Sequence, residues 1–296
     1  MRHVPVLANE LVDGLELKPG EVVVDCTLGD AGHAALVLPR IIPGGKLIGI
    51  DADPEAILRA KDFLYEVSEN VIFERSYFQE LAEILDRNEL EQVDVIYADL
   101  GWSTPQFEER KRGFSFQKID EKLDMRFCGA SCGKALTASE IVNTWDEDEI
   151  AKILRLYGEE KFASKIAQAI VQKREEYDLE TVGDLVDVVV SVYKRMRASR
   201  EKIHPATRTF QALRIAVNQE LDQLKSLLNI ATERLKPGGR LAIITFHSLE
   251  DRMVKHFFQA QSQLEVVNKK PIIPSDDELS QNNRARSAKL RIARKL

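Results

Sequence analysis

The sequence predicts an α/β fold in which a doubly wound, mostly parallel sheet is interrupted by a helical domain. Five apolar runs have the length and composition of buried strands, and they lie at residues 21–25, 46–51, 71–74, 93–99 and 240–246. Segments with helical apolar spacing separate the first four runs, at residues 33–42, 54–67 and 78–88. Strands that alternate with such helices form a parallel sheet with both faces covered.

The alternation stops after residue 107, and this break predicts an insertion. Helical patterns then dominate, at residues 147–157, 160–175 and 181–197. A long helix is predicted at residues 206–235, before the stop signal Lys-Pro-Gly-Gly. We therefore predict three segments: a first part of the α/β domain at 1–107, an inserted helical domain at 108–208, and a second part with a basic C-terminal tail at 209–296.

Composition narrows the class of protein. The chain of 296 residues has a formal net charge of −6 and is 44% hydrophobic, which is typical of a soluble globular protein. No apolar run approaches the roughly 18 residues of a membrane span, and the N-terminal segment lacks the apolar core of a signal peptide. We therefore expect a cytoplasmic protein with no membrane partner. Three cysteines, an odd number, suggest neither a disulfide framework nor a metal site.

Basic residues cluster in two segments despite the acidic net charge. Residues 193–208 hold six Lys or Arg against one Glu, and residues 284–295 hold six and no acid. Such patches can bind phosphate backbones even on an acidic protein. The same composition is also typical of a solvated helix face and a frayed tail.

The turn after the first predicted strand, residues 29–33 (Gly-Asp-Ala-Gly-His), indicates a ligand site. Ligands of doubly wound sheets bind at the carboxyl ends of the strands, where this loop lies. Glycine lets the backbone turn tightly and approach a ligand closely. Asp51, at the end of the second strand, is placed to accept hydrogen bonds from ribose hydroxyls. These features favour a cofactor that contains adenosine.

Two kinds of cofactor are compared as ligands of this loop. A dinucleotide would need the pattern G-x-G-x-x-G, and Asp30 would repel its phosphates. S-adenosylmethionine has no phosphate and carries a sulfonium and an ammonium group, so an acidic loop suits it better. A dehydrogenase alternative rests on Tyr157 and Lys161, which have the Tyr-x-x-x-Lys spacing of some reductases, but both fall in the helical insertion.

The loop after the fourth strand favours methylation of an amino group. The strand ends at Asp99, and Trp102 and Ser103 follow. The lone pair of an exocyclic amino group on a base is delocalised into the ring, so the enzyme needs acceptors that hold the amino protons and steer the lone pair. Asp99 can do this, and positioning with fixed dipoles supplies most of the acceleration. Trp102 can stack on a flipped base, with ordinary packing as its alternative role.

A series of segments from His3 to Ala293 resembles one enzyme family. Two of them, HPATRTFQALRIAVNQEL and FHSLEDR, are too long and particular to be shared by accident. The resemblance is to the bacterial 16S ribosomal RNA cytosine-N4 methyltransferases, the RsmH or MraW family. The segments occur in this order: HVPVLANEL, VDCTLGDAGHA, IGIDADPEAI, ADLGWSTPQF, RGFSF, LDMR, YGEEKFASKIAQAI, HPATRTFQALRIAVNQEL, LKPGGRLAIITFHSLEDRMVKHFF and RARSAKLRIA.

The resemblance implies a Rossmann-like, S-adenosylmethionine-dependent methyltransferase domain with an inserted helical substrate-recognition domain. It also implies that the target is N4 of a cytidine in the decoding (P-site) region of 16S rRNA, so the partner is 16S rRNA or the small ribosomal subunit. Asp99 is implied as the catalytic residue. The implied cofactor-binding residues are Ala31, Gly32, His33, Asp51, Phe78, Asp99 and Gln106. No metal is implied.

Further residues are expected near the substrate. His247 and Ser248 follow the last predicted strand at the ligand-bearing edge, although Ser248 also suits a helix N-cap. Arg208 either presents charge to RNA or ties the insertion to the sheet. Trp102 and Ser103 complete this set. The helical insertion and the basic tail are expected to clamp a single-stranded or locally opened segment of RNA.

Two alternatives to the N4 reaction stay open at this point. Methylation at C5 of cytosine needs a cysteine nucleophile, and the fourth-strand loop has none; Cys26 lies in the first loop, where a packed thiol is expected. The other alternative is a catalytically altered or inactive RNA-binding protein of ribosome assembly. Ala31, which replaces an expected glycine, and Trp102, which replaces a small residue, are the features that favour it.

Overall fold

The computed structural model describes residues 5–101, 111–129, 135–198 and 203–296. The chain forms two compact units, of which the first comprises Met1–Gly101 with Leu221–Leu296 and the second comprises Trp102–Glu220. The described α-helices, in chain order, are α1 (Ala8–Leu15), α2 (Gly32–Ile41), α3 (Pro54–Phe63), α4 (Leu81–Arg87), α5 (Ala138–Thr144), α6 (Glu147–Gly158), α7 (Ala163–Arg174), α8 (Val182–Arg195), α9 (Ala206–Asn218), α10 (Glu220–Arg234), α11 (Ser248–Ala260) and α12 (Asp276–Gln281). None of these helices combines the length and apolar character needed to cross a bilayer.

A seven-stranded sheet organises the first unit. Its strands are β1 (Val22–Asp25), β2 (Lys46–Asp51), β3 (Val71–Arg75), β4 (Val93–Asp99), β5 (Leu235–Thr245), β6 (Leu264–Val266) and β7 (Lys289–Lys295). Their spatial order is β3-β2-β1-β4-β5-β7-β6. Strands β1 to β5 pair in parallel, whereas β7 runs antiparallel to both neighbours. The chain leaves β1 towards β2 and returns to β4 on the other side, so the ligand-binding switch point of a doubly wound sheet lies between β1 and β4.

Each face of this sheet has its own apolar core. Adjacent residues of a strand point to opposite faces, and Val23 and Val24 accordingly belong to different cores. One core joins Val23 to apolar residues of α1, α2 and α3. The other joins Val24 to apolar residues of α4, α10 and α11. The first four strands and the predicted α/β class are therefore confirmed.

The second unit has a separate helical core. Apolar residues of α5 to α9 form one buried cluster. Thr137 and Thr181 begin α5 and α8 with capping boxes, in which the threonine side chain accepts from a backbone N–H three residues later. Cys128 of this unit is disulfide-bonded, which the sequence analysis did not predict.

The long helix predicted at residues 206–235 is two helices. Gln219 adopts a left-handed backbone with φ of 50° and separates α9 from α10. Its φ ends α9 as a C-cap, although a glutamine at this position gives no such signal in the sequence. The stop signal Lys-Pro-Gly-Gly lies within β5, where the pairing with β4 shifts register between Val93 and Val95.

The C-terminal segment was predicted wrongly as a basic tail. Residues 289–295 form β7, which lies between β5 and β6 within the sheet. Leu290 and Ile292 are almost completely buried, and Arg291 is 5% exposed. Alternating basic and apolar residues therefore describe a strand with one apolar face, and this pattern of period two was the signal that the sequence analysis missed.

Candidate active site

Three carboxylates meet at the carboxyl edge of the sheet. Asp25, Asp51 and Asp99 are the last residues of β1, β2 and β4. Asp25 is close enough to both of the others for the negative charges to repel. This concentration of acids beside the switch point is the central feature of the site.

The first loop, residues 26–31, is fastened to the strand ends by its backbone. Leu28 N donates to Ile50 O at 2.8 Å, and Gly29 N donates to Asp51 Oδ2 at 2.8 Å. Gly29 and Ala31 have φ values of 52° and 63°, a left-handed conformation in which glycine is favoured and alanine is strained. Ala31 caps the start of α2 in this conformation. Gly29 is half-buried, whereas Ala31 is completely buried, so Gly29 is the more accessible of the two to a ligand.

Leu28 of the first loop packs closely against Gly49 of β2. A Cβ on Gly49 of β2 would lie 2.7 Å from Leu28 Cδ2. Leu28 is 3% exposed, so its side chain fills the space that the missing Cβ leaves. Gly49 therefore sets how deeply the first loop seats on the sheet.

Asp51 orients the loop with both carboxylate oxygens. One oxygen accepts from Gly29 N and the other from Asp53 N, each at 2.8 Å. Burial raises the pKa of Asp51 to about 7, and the hydrogen bond from Gly29 opposes this rise. Each oxygen has a further lone pair, which is what a ribose hydroxyl requires.

Asp30 is neutralised by a neighbouring helix. Arg59 of α3 donates from Nε to Asp30 Oδ1 at 2.8 Å. Both partners act on Asp51, because the charge of Asp30 raises its pKa and the charge of Arg59 lowers it. Arg59 was not among the predicted site residues, because its distance in sequence from Asp30 gives no signal.

Asp25 is a buried partner of Tyr97. Tyr97 Oη donates to Asp25 Oδ2 at 2.8 Å, and Thr27 N donates to Asp25 Oδ1 at 3.0 Å. Burial raises the pKa of Asp25 to about 7 despite these hydrogen bonds. The neighbouring Cys26 is 1% exposed, and burial raises the pKa of its thiol, so it has the properties of a packed thiol.

Asp99 retains an unused acceptor. Its backbone N donates to Thr27 Oγ1 at 2.7 Å, which fixes the end of β4 against the first loop. Within the described part of the chain, the buried atom Asp99 Oδ1 has no hydrogen-bond partner. Burial, followed by repulsion from Asp25 and Glu250, raises the pKa of Asp99 well above its ordinary value. A buried acceptor without a partner is costly unless a ligand completes it.

His33 faces Asp99 from the start of α2. Its Nδ1 lies 3.7 Å from Asp99 Oδ2, and its Nε2 lies 2.9 Å from Val6 O. The imidazole is 7% exposed and is held on both sides. The predicted residues Gly32, His33 and Asp99 are therefore brought together.

Phe78 lies beyond β3, in a short 3₁₀ turn at Phe78–Glu80. It is partly buried against the core that contains α4, α10 and α11. Ser76, two residues earlier, donates from its backbone N to Asp51 O at 3.2 Å and ties this turn to the end of β2. Trp102, Ser103 and Gln106 lie outside the described residues.

His247, rather than Ser248, caps α11. His247 Nδ1 accepts from Glu250 N at 3.4 Å, and Glu250 Oε2 accepts in return from His247 N at 3.3 Å. The capping role considered for Ser248 is therefore taken by its neighbour. Ser248 begins the helix, close to the end of β5. Arg208 lies in α9 of the second unit.

These features fit S-adenosylmethionine. The acidic edge suits its positive groups, and Asp51 suits a ribose. The fold and site are those of a Rossmann-like, S-adenosylmethionine-dependent methyltransferase. The model of the MraW methylase family matches residues 1–296, and the chain belongs to that family.

Two relatives that are similar in sequence agree with this assignment. The chain is 45% identical to a protein of Brevibacillus brevis named ribosomal RNA small subunit methyltransferase H, over 99% of this chain and 98% of the relative. It is 44% identical to a protein of the same name from Paenibacillus sp., over 100% and 99% of the two chains. A solved rRNA methylase of Streptococcus thermophilus aligns with a TM-score of 0.47 at 12% identity, covering 100% of this chain and 99% of the other.

Proposed function

We propose that this protein methylates the exocyclic N4 amino group of a cytidine in the decoding (P-site) region of 16S rRNA. The observation that carries the proposal is Asp99 Oδ1, a buried acceptor without a partner in the described residues at the carboxyl end of β4. Two relatives at 44% and 45% identity are named for methylation of small-subunit ribosomal RNA, which supports RNA as the substrate.

Asp99 is proposed as the catalytic residue. S-adenosylmethionine supplies a methyl group on a sulfonium. In the transfer a C–N bond forms, a C–S bond breaks, and the amino nitrogen gives up one proton. Asp99 accepts a hydrogen bond from the amino group and so directs the nitrogen lone pair. Because burial raises the pKa of Asp99 well above its ordinary value, the carboxylate is also a competent acceptor for that proton.

The proposed roles in cofactor binding are assigned to residues near the carboxyl edge of the sheet. We propose that the backbone of Ala31, Gly32 and His33 contacts the methionine part, and that Asp51 accepts from the ribose. Phe78 is proposed to lie against the adenine. Asp99 and Gln106, of which Gln106 lies outside the described residues, are proposed to complete the cofactor site and to border the target amino group.

The second unit is proposed as the substrate-recognition domain. The proposed RNA contacts are Trp102, Ser103, Arg208, His247 and Ser248. A base must leave its stack to reach the methyl group, so these residues are expected to act on a single-stranded or locally opened segment. The protein would then act in the cytoplasm on 16S rRNA or the small ribosomal subunit.

The test is mass spectrometry of 16S rRNA from cells with and without the gene, complemented with the wild type or with Asp99→Ala. We expect the N4-methyl mark to disappear in the deletion, to return with the wild type, and to stay absent with Asp99→Ala. Denaturant unfolding of the purified variant controls for folding. An unchanged mark in the deletion strain would contradict the reaction and would favour the RNA-binding assembly protein instead.

A further inference from the structure

A basic pocket lies at the far edge of the sheet in the first unit. It is a shallow depression between α11, β6 and β7. The residues that line it are Lys255, Phe258, Gln259, Val266, Asn268, Lys269 and Arg291. Three of these are cations and none is an acid. Glu265 of β6 points to the opposite face from its neighbour Val266, because side chains alternate along a strand.

Arg291 forms the buried end of the pocket. Its side chain is only 6% exposed, and its Nε donates to Asp251 Oδ1 at 2.7 Å. Lys289 Nζ lies 3.0 Å from the other oxygen of the same carboxylate. Burial alone would raise the pKa of Asp251, but the hydrogen bonds from Arg291 and Lys289 lower it below its ordinary value. One carboxylate thus balances two cations, and the exposed Lys255 and Lys269 add two more.

The segment that carries Lys269 is hydrogen-bonded to β7. Asn268 Nδ2 donates to Leu290 O at 2.9 Å, and Asn268 Oδ1 accepts from Ile292 N at 2.7 Å. These bonds fasten the segment after β6 to β7. The backbone that carries Lys269 is therefore anchored to the sheet beside Arg291.

We propose that this pocket binds a backbone phosphate of the RNA substrate, at a nucleotide that flanks the target base. A phosphate group carries the negative charge that a surface with one buried arginine and two exposed lysines attracts. The proposal rests on the proposed function, because it takes RNA as the substrate.

The position of the pocket agrees with such a role. Lys289 pairs with Thr245, so the start of β7 lies at the same carboxyl edge as Asp99. Strand β7 is two strands away from β4, which corresponds to a lateral distance of about 10 Å at the usual strand spacing. An RNA strand that places a base at Asp99 can extend along this edge to the pocket.

The test is the affinity of the full-length protein for a fluorescent RNA with the decoding-region sequence, measured at several salt concentrations. The variant is Lys255→Ala with Lys269→Ala. The control is Lys46→Ala with Lys225→Ala, which removes two exposed lysines at other places on the first unit. We expect the pocket variant to raise the Kd about fivefold and to reduce the slope of log K against log salt by about 0.7 for each lysine–phosphate ion pair that the substitutions remove. Binding of S-adenosylmethionine should not change.

Three results would overturn the proposal. A pocket variant with the same Kd and salt slope as the control would remove the pocket from RNA binding, while normal methylation by the wild type would leave the proposed function intact. A wild type that neither binds this RNA nor methylates 16S rRNA would overturn both. Calorimetric binding of inorganic phosphate that only the pocket variant loses, with unchanged RNA affinity, would assign the pocket to a free anion.

Discussion

His33 Nδ1 lies 3.7 Å from Asp99 Oδ2, while the other ring nitrogen of His33 lies 2.9 Å from the carbonyl oxygen of Val6. A carbonyl oxygen can only accept, so Nε2 carries a hydrogen and Nδ1 is the atom that faces the carboxyl group. Val6 thereby fixes the orientation of the ring, and the ring in turn flanks one oxygen of Asp99. Among the described residues, the other oxygen, Oδ1, has no hydrogen-bond partner.

We expect His33→Ala to lower kcat about tenfold, a change of about 1.4 kcal/mol in the activation barrier, because Asp99 loses the ring that lies 3.7 Å from its Oδ2. The measurement is steady-state methylation of the RNA substrate, together with the Kd of S-adenosylmethionine. Leu36→Ala, at an exposed position of α2, is the matched control. A higher Kd for the cofactor with unchanged kcat would instead make His33 a cofactor contact alone.

The pKa of Asp25 predicts a pH dependence of stability. Burial raises it from 3.8 to about 7, so the folded protein holds a proton that the unfolded chain releases within this range. The free energy of unfolding therefore falls as pH rises from 3.8 to about 7, by about 1.4 kcal/mol per pH unit for this carboxyl group, and is level above that range.

Asp25→Asn removes this loss, since an amide has no charge to bury. We expect the variant to gain stability relative to the wild type as pH rises through this window, and the difference to become constant above about pH 7. Denaturant unfolding at a series of pH values measures the difference. Asp62→Asn, at an exposed position, should run parallel to the wild type. A constant difference between Asp25→Asn and the wild type at every pH would contradict the assignment.

The sequence predicted the parts of the fold that local patterns encode. Strands β1 to β4 carry continuous apolar runs, and the Asp53-Pro54 pair marks the start of α3, where Asp53 Oδ1 accepts from Glu55 N at 3.0 Å. The β7 strand was missed because its basic residues were taken as a charge run. The break at Gln219 was missed because only the φ of 50° reveals it.

The site residues also divide into those that local sequence patterns predict and those that they do not. Asp51 and Asp99 end apolar strands, so their place at the carboxyl edge follows from the strand pattern. Tyr97 and Arg59 carry no such signal, because their partners Asp25 and Asp30 lie far away in sequence and meet them only through the packing of strands and helices. Contacts of this kind depend on register and crossover, which a single sequence does not specify.

Gly49 and Leu28 allow the seating of the first loop to be tested. A Cβ on Gly49 would come within 2.7 Å of Leu28 Cδ2, so Gly49→Ala should lift the loop and increase the Kd of S-adenosylmethionine about tenfold. Overpacking of this size also costs about 1–3 kcal/mol of stability. Calorimetric titration with the cofactor measures the first effect.

A double variant separates the steric cause from a general loss of structure. Leu28→Ala in the Gly49→Ala background removes the atoms that clash, so we expect cofactor affinity to recover in part. The two substitutions should then be non-additive, as contacting residues are in a double-mutant cycle. Additive losses would show that Gly49 does not act through Leu28.

The burial of β7 predicts that the C-terminal segment is needed for folding. Ile292 is 1% exposed and belongs to the core that contains α1 and α2, so Ile292→Ala should lower the free energy of unfolding by about 2–5 kcal/mol. Leu296, at the end of the chain, is 65% exposed, and Leu296→Ala should change stability by less than about 0.5 kcal/mol. Both are measured by denaturant unfolding at one pH.

Truncation before Lys289 removes the strand that joins β5 to β6 and should prevent folding. Loss of RNA binding in such a truncation would therefore report unfolding. If the truncated chain instead keeps the cofactor affinity and unfolding midpoint of the wild type, β7 does not stabilise the sheet and the segment acts as a tail.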